Sequence, residues 1–351
     1  MKEKFWKAIE EGNIEKIAQF IQSGVSIETK NSSGITPLHY AVLSDNERLL
    51  ECLIKFGANI NAKDSADWSP LHFAAYADKR KVAIILLNKG ANVEAKNQDK
   101  ITPLHFAAAK GHKDMVKLLL DQGANIETKD GSEMSIVHHA ALSGNIELML
   151  FLIEHRVNIN DMDDEGNTPL HFAAQKGHNG LVKLLLANGG DFNILNINKL
   201  TPLHFAAFYG NEVIVKQLLQ KGADTSVKSN TNKTPLQYAA QAGHKSIVKL
   251  ILESELNARE VKKTLSNDVL SPAHEASNQE KEKETKEVFN QRKQGLEALS
   301  QGKDRSNDIN TQKAYMSKEE SIEEAITENN VHFKNDVVST ELKSSGEIND
   351  L

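Results

Sequence analysis

The chain has 351 residues, a formal charge of −6 and a mean hydropathy of −0.45. A negative chain is poorly suited to non-specific nucleic-acid binding, which depends on neutralising phosphates. The single cysteine, Cys52, excludes an intramolecular disulfide and predicts a reducing, cytoplasmic setting.

The opening residues MKEKFWKAIEEGN mix both charges and hold no apolar h-region, so no Sec-type signal peptide is predicted. From Thr36 onward the tetrapeptide Thr-Pro-Leu-His, or a near variant, recurs every 33 residues. Pro37, Pro70, Pro103, Ile136, Pro169, Pro202 and Pro235 fall in phase, so six of the seven prolines share one register. Such a period predicts a solenoid, whose units are too small to bury a core alone and stack on their neighbours. Residues 1–35 fit the same phase, with Gly12 and Gly24 aligned to Gly111 and Gly123. Glu3 to Lys7 lack the tetrapeptide, so this stretch is predicted to be an N-terminal capping unit. No membrane span is expected, because the longest apolar runs, such as Val82 to Leu87, fall far below roughly 18 residues.

The unit at Thr102 shows the physics of all of them. Thr102 is a good N-cap, and Pro103 follows at N1, where its missing N–H costs nothing. Leu104, Ala107 and Ala108 share one helix face, and the alanines permit helix approach to about 8–10 Å. Gly111 ends this helix in a left-handed conformation. Met115, Val116, Leu118, Leu119 and Leu120 then mark a second helix, with Lys117 facing outward, and Gly123 stops it. Ala124 to Ser132 is too short and polar for another helix and predicts an extended or hairpin connection.

The run TPLHFAA, then GH, an apolar VKLLL segment and GAN, resembles the ankyrin repeat. The match is close in the units at Thr36, Ser69, Thr102, Thr168, Thr201 and Thr234, and weaker at Ser135. The resemblance implies an all-α repeat solenoid of stacked helix–turn–helix units with projecting hairpin loops. Residues 1–35 form the cap, residues 36–255 seven repeats, and residues 256–351 a largely disordered acidic tail. Two departures stand out. Ser135-Ile136-Val137-His138 lacks the proline, and Arg156 replaces the glycine that ends the second helix elsewhere. A non-glycine residue in a left-handed position costs roughly 1 kcal/mol, so the solenoid is expected to be least stable around the fourth and fifth units.

The tail holds 19 Asp or Glu against 14 Lys or Arg, with only 19 Leu, Ile, Val or Phe among its 96 residues. That composition predicts disorder. Ser317 with Glu320 forms a candidate capping box ahead of Ile322, Ala325 and Ile326. Glu280 to Leu299 is a charged stretch with helical spacing. Ser271 to Ala276 echoes the repeat motif four residues out of phase.

No catalytic constellation emerges: there is no Gly-rich phosphate loop, no HExxH and no G-x-S-x-G. His39, His72, His105, His138, His171 and His204 recur at one repeat position, about 10 Å apart by helix packing, too far apart to share a metal. The resemblance makes them local hydrogen-bonding residues. His139 stands where other units carry Phe73 or Phe106. Cys52 reads as a buried small hydrophobe, and Asp163-Asp164 as solvated loop residues. No cofactor and no metal are expected.

In ankyrin proteins partners usually meet the concave face, formed by loop tips and the open side of the first helix. Matched by position, that face here contains a first apolar cluster of Ile35, Leu43, Trp68, Tyr76, Ile101, Met134 and Leu142, and a second of Leu200, Phe208 and Tyr209. A polar unit with Asp164, Glu165, Asn167 and Lys176 divides them. On the opposite face Ile84 and Leu150 replace lysines found at Lys117, Lys183, Lys216 and Lys249. The resemblance implies a monomeric, non-catalytic scaffold that binds a protein partner through the concave face. An alternative is an effector of an intracellular bacterium, delivered into a host cell without a Sec signal; the cluster Glu319, Glu320, Glu323 and Glu324 resembles some type IV secretion signals. A second alternative is a regulatory subunit with a motif in the tail.

Overall fold

The computed structural model describes residues 1–267 of the chain. The tail stretches singled out at 271–276, 280–299 and 317–326 lie outside them. Eight helix pairs follow one another: α1 Lys2–Glu10 and α2 Ile14–Gln22; α3 Pro37–Leu43 and α4 Glu47–Lys55; α5 Pro70–Tyr76 and α6 Arg80–Asn88; α7 Pro103–Ala109 and α8 Lys113–Asp121. The second half repeats the pattern, with α9 Ile136–Ser143 and α10 Ile146–Glu154; α11 Pro169–Lys176 and α12 Asn179–Ala187; α13 Pro202–Phe208 and α14 Glu212–Gln220; α15 Pro235–Ala242 and α16 Lys245–Asn267. No strand occurs among the described residues. Helix α16 runs twelve residues past Glu255, where the sequence pattern placed the end of the repeats.

Odd-numbered helices pack on one another to form one layer, and even-numbered helices form a second. Alanine pairs such as Ala107-Ala108, Ala140-Ala141 and Ala173-Ala174 are fully buried between first helices. Their small side chains let that layer pack more tightly than the second, which sets it on the inner side of the stack. Between the layers lie Leu104, Val116 and Leu119 and their counterparts one period away, such as Leu71, Ala83 and Leu86.

Left-handed backbone falls at three positions in each period. The turn between helices uses Gly111 (φ +71°), the end of the second helix Gly123 (φ +90°), and the loop tip Lys100 (φ +58°). Arg156 occupies the second of these with φ +61°, as the sequence implied. It is one of eight non-glycine residues at positive φ among the described residues, including Asp45, Asp78 and Glu133, so this strain is spread along the stack. The missing proline at Ile136 leaves the start of α9 intact: Ser135 N–H and Oγ lie 3.1 and 3.0 Å from His138 Nδ1, the same cap as in its neighbours.

Candidate functional site

Five of the six cap histidines reach the carbonyl 29 residues on, while His105 bonds Thr128 O at 2.9 Å. In the unit at Thr36 the backbone N–H of Thr36 donates to His39 Nδ1 (3.3 Å), and the Thr36 hydroxyl lies 2.8 Å from the same nitrogen. His39 Nε2 then donates to the Trp68 carbonyl, 29 residues on, at 3.0 Å. A backbone N–H only donates and a carbonyl only accepts, so the ring is the neutral Nε2–H tautomer. The same forward bond runs from His72 to Ile101 and from His171 to Leu200. Burial pushes these rings down from 6.5, to about 4 for His39, His72, His138, His171 and His204. His105 falls to about 3, through burial and then the neighbouring His139.

A second set of side chains reaches backward. His112, His178 and His244, each at the start of an outer helix, donate from Nε2 to the carbonyls of Tyr76, Leu142 and Phe208 at 3.1, 3.0 and 2.9 Å. Asn145 and Asn211 do the same to Gly111 and Ala174. The turn glycines make room for these groups: a Cβ on Gly144 would lie 2.6 Å from His178 Nδ1. Trp6 occupies the histidine position of the capping unit, and its indole N–H donates to Thr29 O at 3.1 Å. The 33-residue phase alone could have shown that substitution.

From the loop at Ala66 onward, successive loop tips are laced by one backbone bond each. Gly131 N–H donates to Asp99 O (2.7 Å), Asp164 N–H to Ser132 O (3.0 Å) and Ile197 N–H to Glu165 O (2.9 Å). In six loops an Asn or Asp side-chain oxygen accepts two backbone N–H groups, as Asp130 Oδ1 takes Ser132 and Met134, and in the last loop Ser229 Oγ takes Thr231 and Lys233. Asp163 does this for Glu165 and Asn167 and is buried, so the reading of Asp163 as a solvated loop residue is corrected. His139 is also more than an aromatic replacement. Its Nε2 lies 2.9 Å from Asp130 Oδ2, with both side chains buried. Burial alone would raise the Asp130 carboxyl, but the His139 hydrogen bond and charge hold it below the ordinary value. Elsewhere a phenyl ring stands edge-on to the preceding cap histidine, as Phe73 does to His39 at 5.3 Å; here His105 and His139 are tilted, 4.9 Å apart.

The expected binding residues divide into two groups. Ile35, Trp68, Ile101, Met134 and Leu200, which precede the tetrapeptides, are buried, and the expectation that they form an exposed patch is corrected. For Trp68 the cover is visible: its ring lies 5.2 Å from Phe73 of its own unit and 4.1 Å from Phe106 of the next. Asn167 in the intervening unit is buried as well, accepting a hydrogen bond from Asn196 Nδ2 at 2.9 Å. Leu43, Tyr76, Leu142, Phe208 and Tyr209, at the ends of the first helices, remain half-exposed. Lys110 Nζ stands 4.5 Å above the Tyr76 ring, and Gln175 Nε2 donates to Tyr209 Oη at 3.1 Å.

Three exposed residues were missed by sequence reasoning: Met162, Leu195 and Ile197 on the loops entering the units at Thr168 and Thr201. Met162 and Leu195 interrupt a row that reads Lys30, Lys63, Lys96 and Lys129 before them and Lys228 after them. The same periodicity that exposed the tetrapeptide could have revealed it. Among the described residues no group of three or more His, Cys, Asp or Glu is placed to hold a metal ion, and no helix is long and apolar enough to cross a membrane.

Paired helices stacked in two layers and clasped only to their neighbours define a helical-repeat protein. The ankyrin-repeat family model (three copies) matches residues 5–97, 67–130, 104–196 and 178–264, and the chain belongs to that family. No curated protein matches it. Ankyrin repeats are generally protein–protein interaction modules and typically non-catalytic.

Proposed function

We propose that the chain is a non-catalytic scaffold that binds a protein partner across its inner face and loop tips. The observation that carries this is the lapse of the lysine row at Met162 and Leu195. Met162 and Leu195 put apolar side chains where sibling units carry lysine, and exposed Ile197 and half-exposed Phe208 and Tyr209 add apolar surface in the same units. Exposed apolar residues gathered in this way favour an interface, and aromatic side chains supply much of the energy when a partner covers them. Tyr76, Leu43 and Leu142 form a second contact region in earlier units. The rigid stack holds both regions in place, so little conformational entropy is lost on binding.

The test is affinity capture from cell lysates with the full chain, beside a variant carrying Met162→Lys and Leu195→Lys. Those changes restore the row without touching the core. Proteins retained by the wild type and lost by the variant, or by Phe208→Ala, support the reading. Identical sets from all three chains refute it.

A further inference from the structure

The outer face of the unit at Ser135 departs from the repeat at two positions on one helix side. Ile146 stands where Glu47, Arg80, Lys113, Asn179, Glu212 and Lys245 stand in the other repeats and Ile14 in the capping unit. Leu150 stands where Lys117, Lys183, Lys216 and Lys249 stand, with Glu51 and Ile84 at that position in earlier units. The two are four residues apart on α10 and therefore adjacent on its surface. Their side chains are 43% and 41% exposed. On the same helix Leu148, Met149 and Leu152 are buried, and Phe151 and Ile153 half-buried. Apart from Glu147 and Glu154, α10 is apolar, more so than a surface helix with one buried face needs, and Ile146 and Leu150 stay exposed among the described residues.

The apolar surface continues onto the next helices. Ile146 leans over Gly180 of α12, where a Cβ would lie 2.8 Å from Ile146 Cδ1. Beyond it on α14 stands Val213, 48% exposed. At a helix spacing of 8–10 Å, Leu150, Ile146 and Val213 form a strip roughly 20 Å long. Lys113, Lys117 and Lys183 border it, exposed and without ion-pair partners among the described residues. Nearby Asp114 is paired with Arg80 at 2.6 Å, and Lys216 with Glu212 at 2.6 Å, while Glu147 sits at the strip's other edge.

We propose that this strip is a second docking surface, on the layer opposite the inner face, for an amphipathic helix of another protein with acidic residues bordering its apolar stripe. The apolar stripe covers Ile146, Leu150 and Val213, and the carboxylates meet Lys117 and Lys183. Charge selects this occupant: a second copy of the chain would set lysines against lysines. Three apolar side chains fixed on a rigid surface offer a bilayer far less buried area than an interfacial helix does.

The experiment pans a displayed random-peptide library on the full chain and counter-selects on a variant with Ile146→Asn and Leu150→Lys. Both replacements are residues that sibling units carry, and an unchanged thermal melt verifies the fold. Peptides that distinguish the two chains should carry apolar residues at helical spacing with a net negative charge. Their affinity should fall about tenfold or more with Lys117→Glu and Lys183→Glu, and stay unchanged with Phe208→Ala, which probes only the inner face. The proposal is overturned if no peptide distinguishes the chains, if the distinguishing peptides are neutral or basic, or if charge reversal leaves their affinity intact. It also fails if Leu150-dependent self-association appears in sedimentation, or Leu150-dependent pelleting with phosphatidylserine vesicles.

Discussion

Acidification should dismantle this protein well before its carboxylates titrate. Six cap histidines are held neutral in the folded chain, at about 4 or below, against 6.5 for a free ring. Protons therefore bind the unfolded chain first, and stability rises with pH across this window. It is full above about pH 7 and falls as pH drops through 6.5 toward 4. Each ring costs about 1.4 kcal/mol per pH unit below 6.5. At about pH 5.5 six rings together remove ~8 kcal/mol, comparable with the roughly 5–15 kcal/mol that stabilises a typical domain. The measurement is urea unfolding followed by far-UV circular dichroism, between about pH 7.5 and pH 5, where ordinary carboxylates stay ionised. The chain supplies its own control. Gln237 occupies the cap position in the unit at Thr234, and its Oε1 accepts the Thr234 N–H at 2.9 Å. Replacing His105 and His171 with glutamine should keep the local cap and remove about a third of the pH slope. A flat stability profile from about pH 7.5 to 5, or an undiminished slope in the double variant, would refute the reasoning.

The remaining expectations are local. Arg156→Gly relieves a left-handed residue and should raise stability by up to about 1 kcal/mol, with slower hydrogen exchange in α9 and α10; faster exchange there would count against the strain argument. Gly57→Ala places a methyl in open space at φ +86°, whereas Gly144→Ala sets one 2.6 Å from His178. Equal losses of unfolding free energy for the two would contradict the backward clasp. Trp68→Ala should cost about 3–5 kcal/mol as a buried-cavity variant, and a melting temperature within error of wild type would show that the ring is not core. His139→Phe removes the partner that holds Asp130 down, so that carboxyl should titrate at higher pH by NMR; an unmoved Asp130 would dissolve the proposed pair.

The architecture was legible in the sequence because its causes are local and repeat. Thr102, Pro103 and Gly111 dictate a short helix through capping and backbone preference, and the phase carries that reading from unit to unit. Exposure was harder to read. Trp68 looks available beside its own helix and becomes buried only when Phe106 of the next unit lies against it. That contact spans 38 residues. His139 and Asp130 are nine residues apart, yet their pairing depends on a loop that folds back over the helix start. Met162 and Leu195 are hidden for a different reason, because the lysine register they interrupt runs through the loops, away from the tetrapeptide and its helix.

The clasp between units looks only one step forward and one step back. His72 meets the carbonyl of Ile101, His112 meets that of Tyr76, and neither bond reaches beyond an adjoining unit. Gaining or losing a whole 33-residue segment would therefore leave each clasp of this kind with a counterpart carbonyl, although losing Thr102 to Met134 would also take Asp130 from His139. Such a chain can change length by duplication or deletion in the gene, in register and with these clasps kept. Its inheritance is modular, and the span of surface offered to a partner grows in fixed increments.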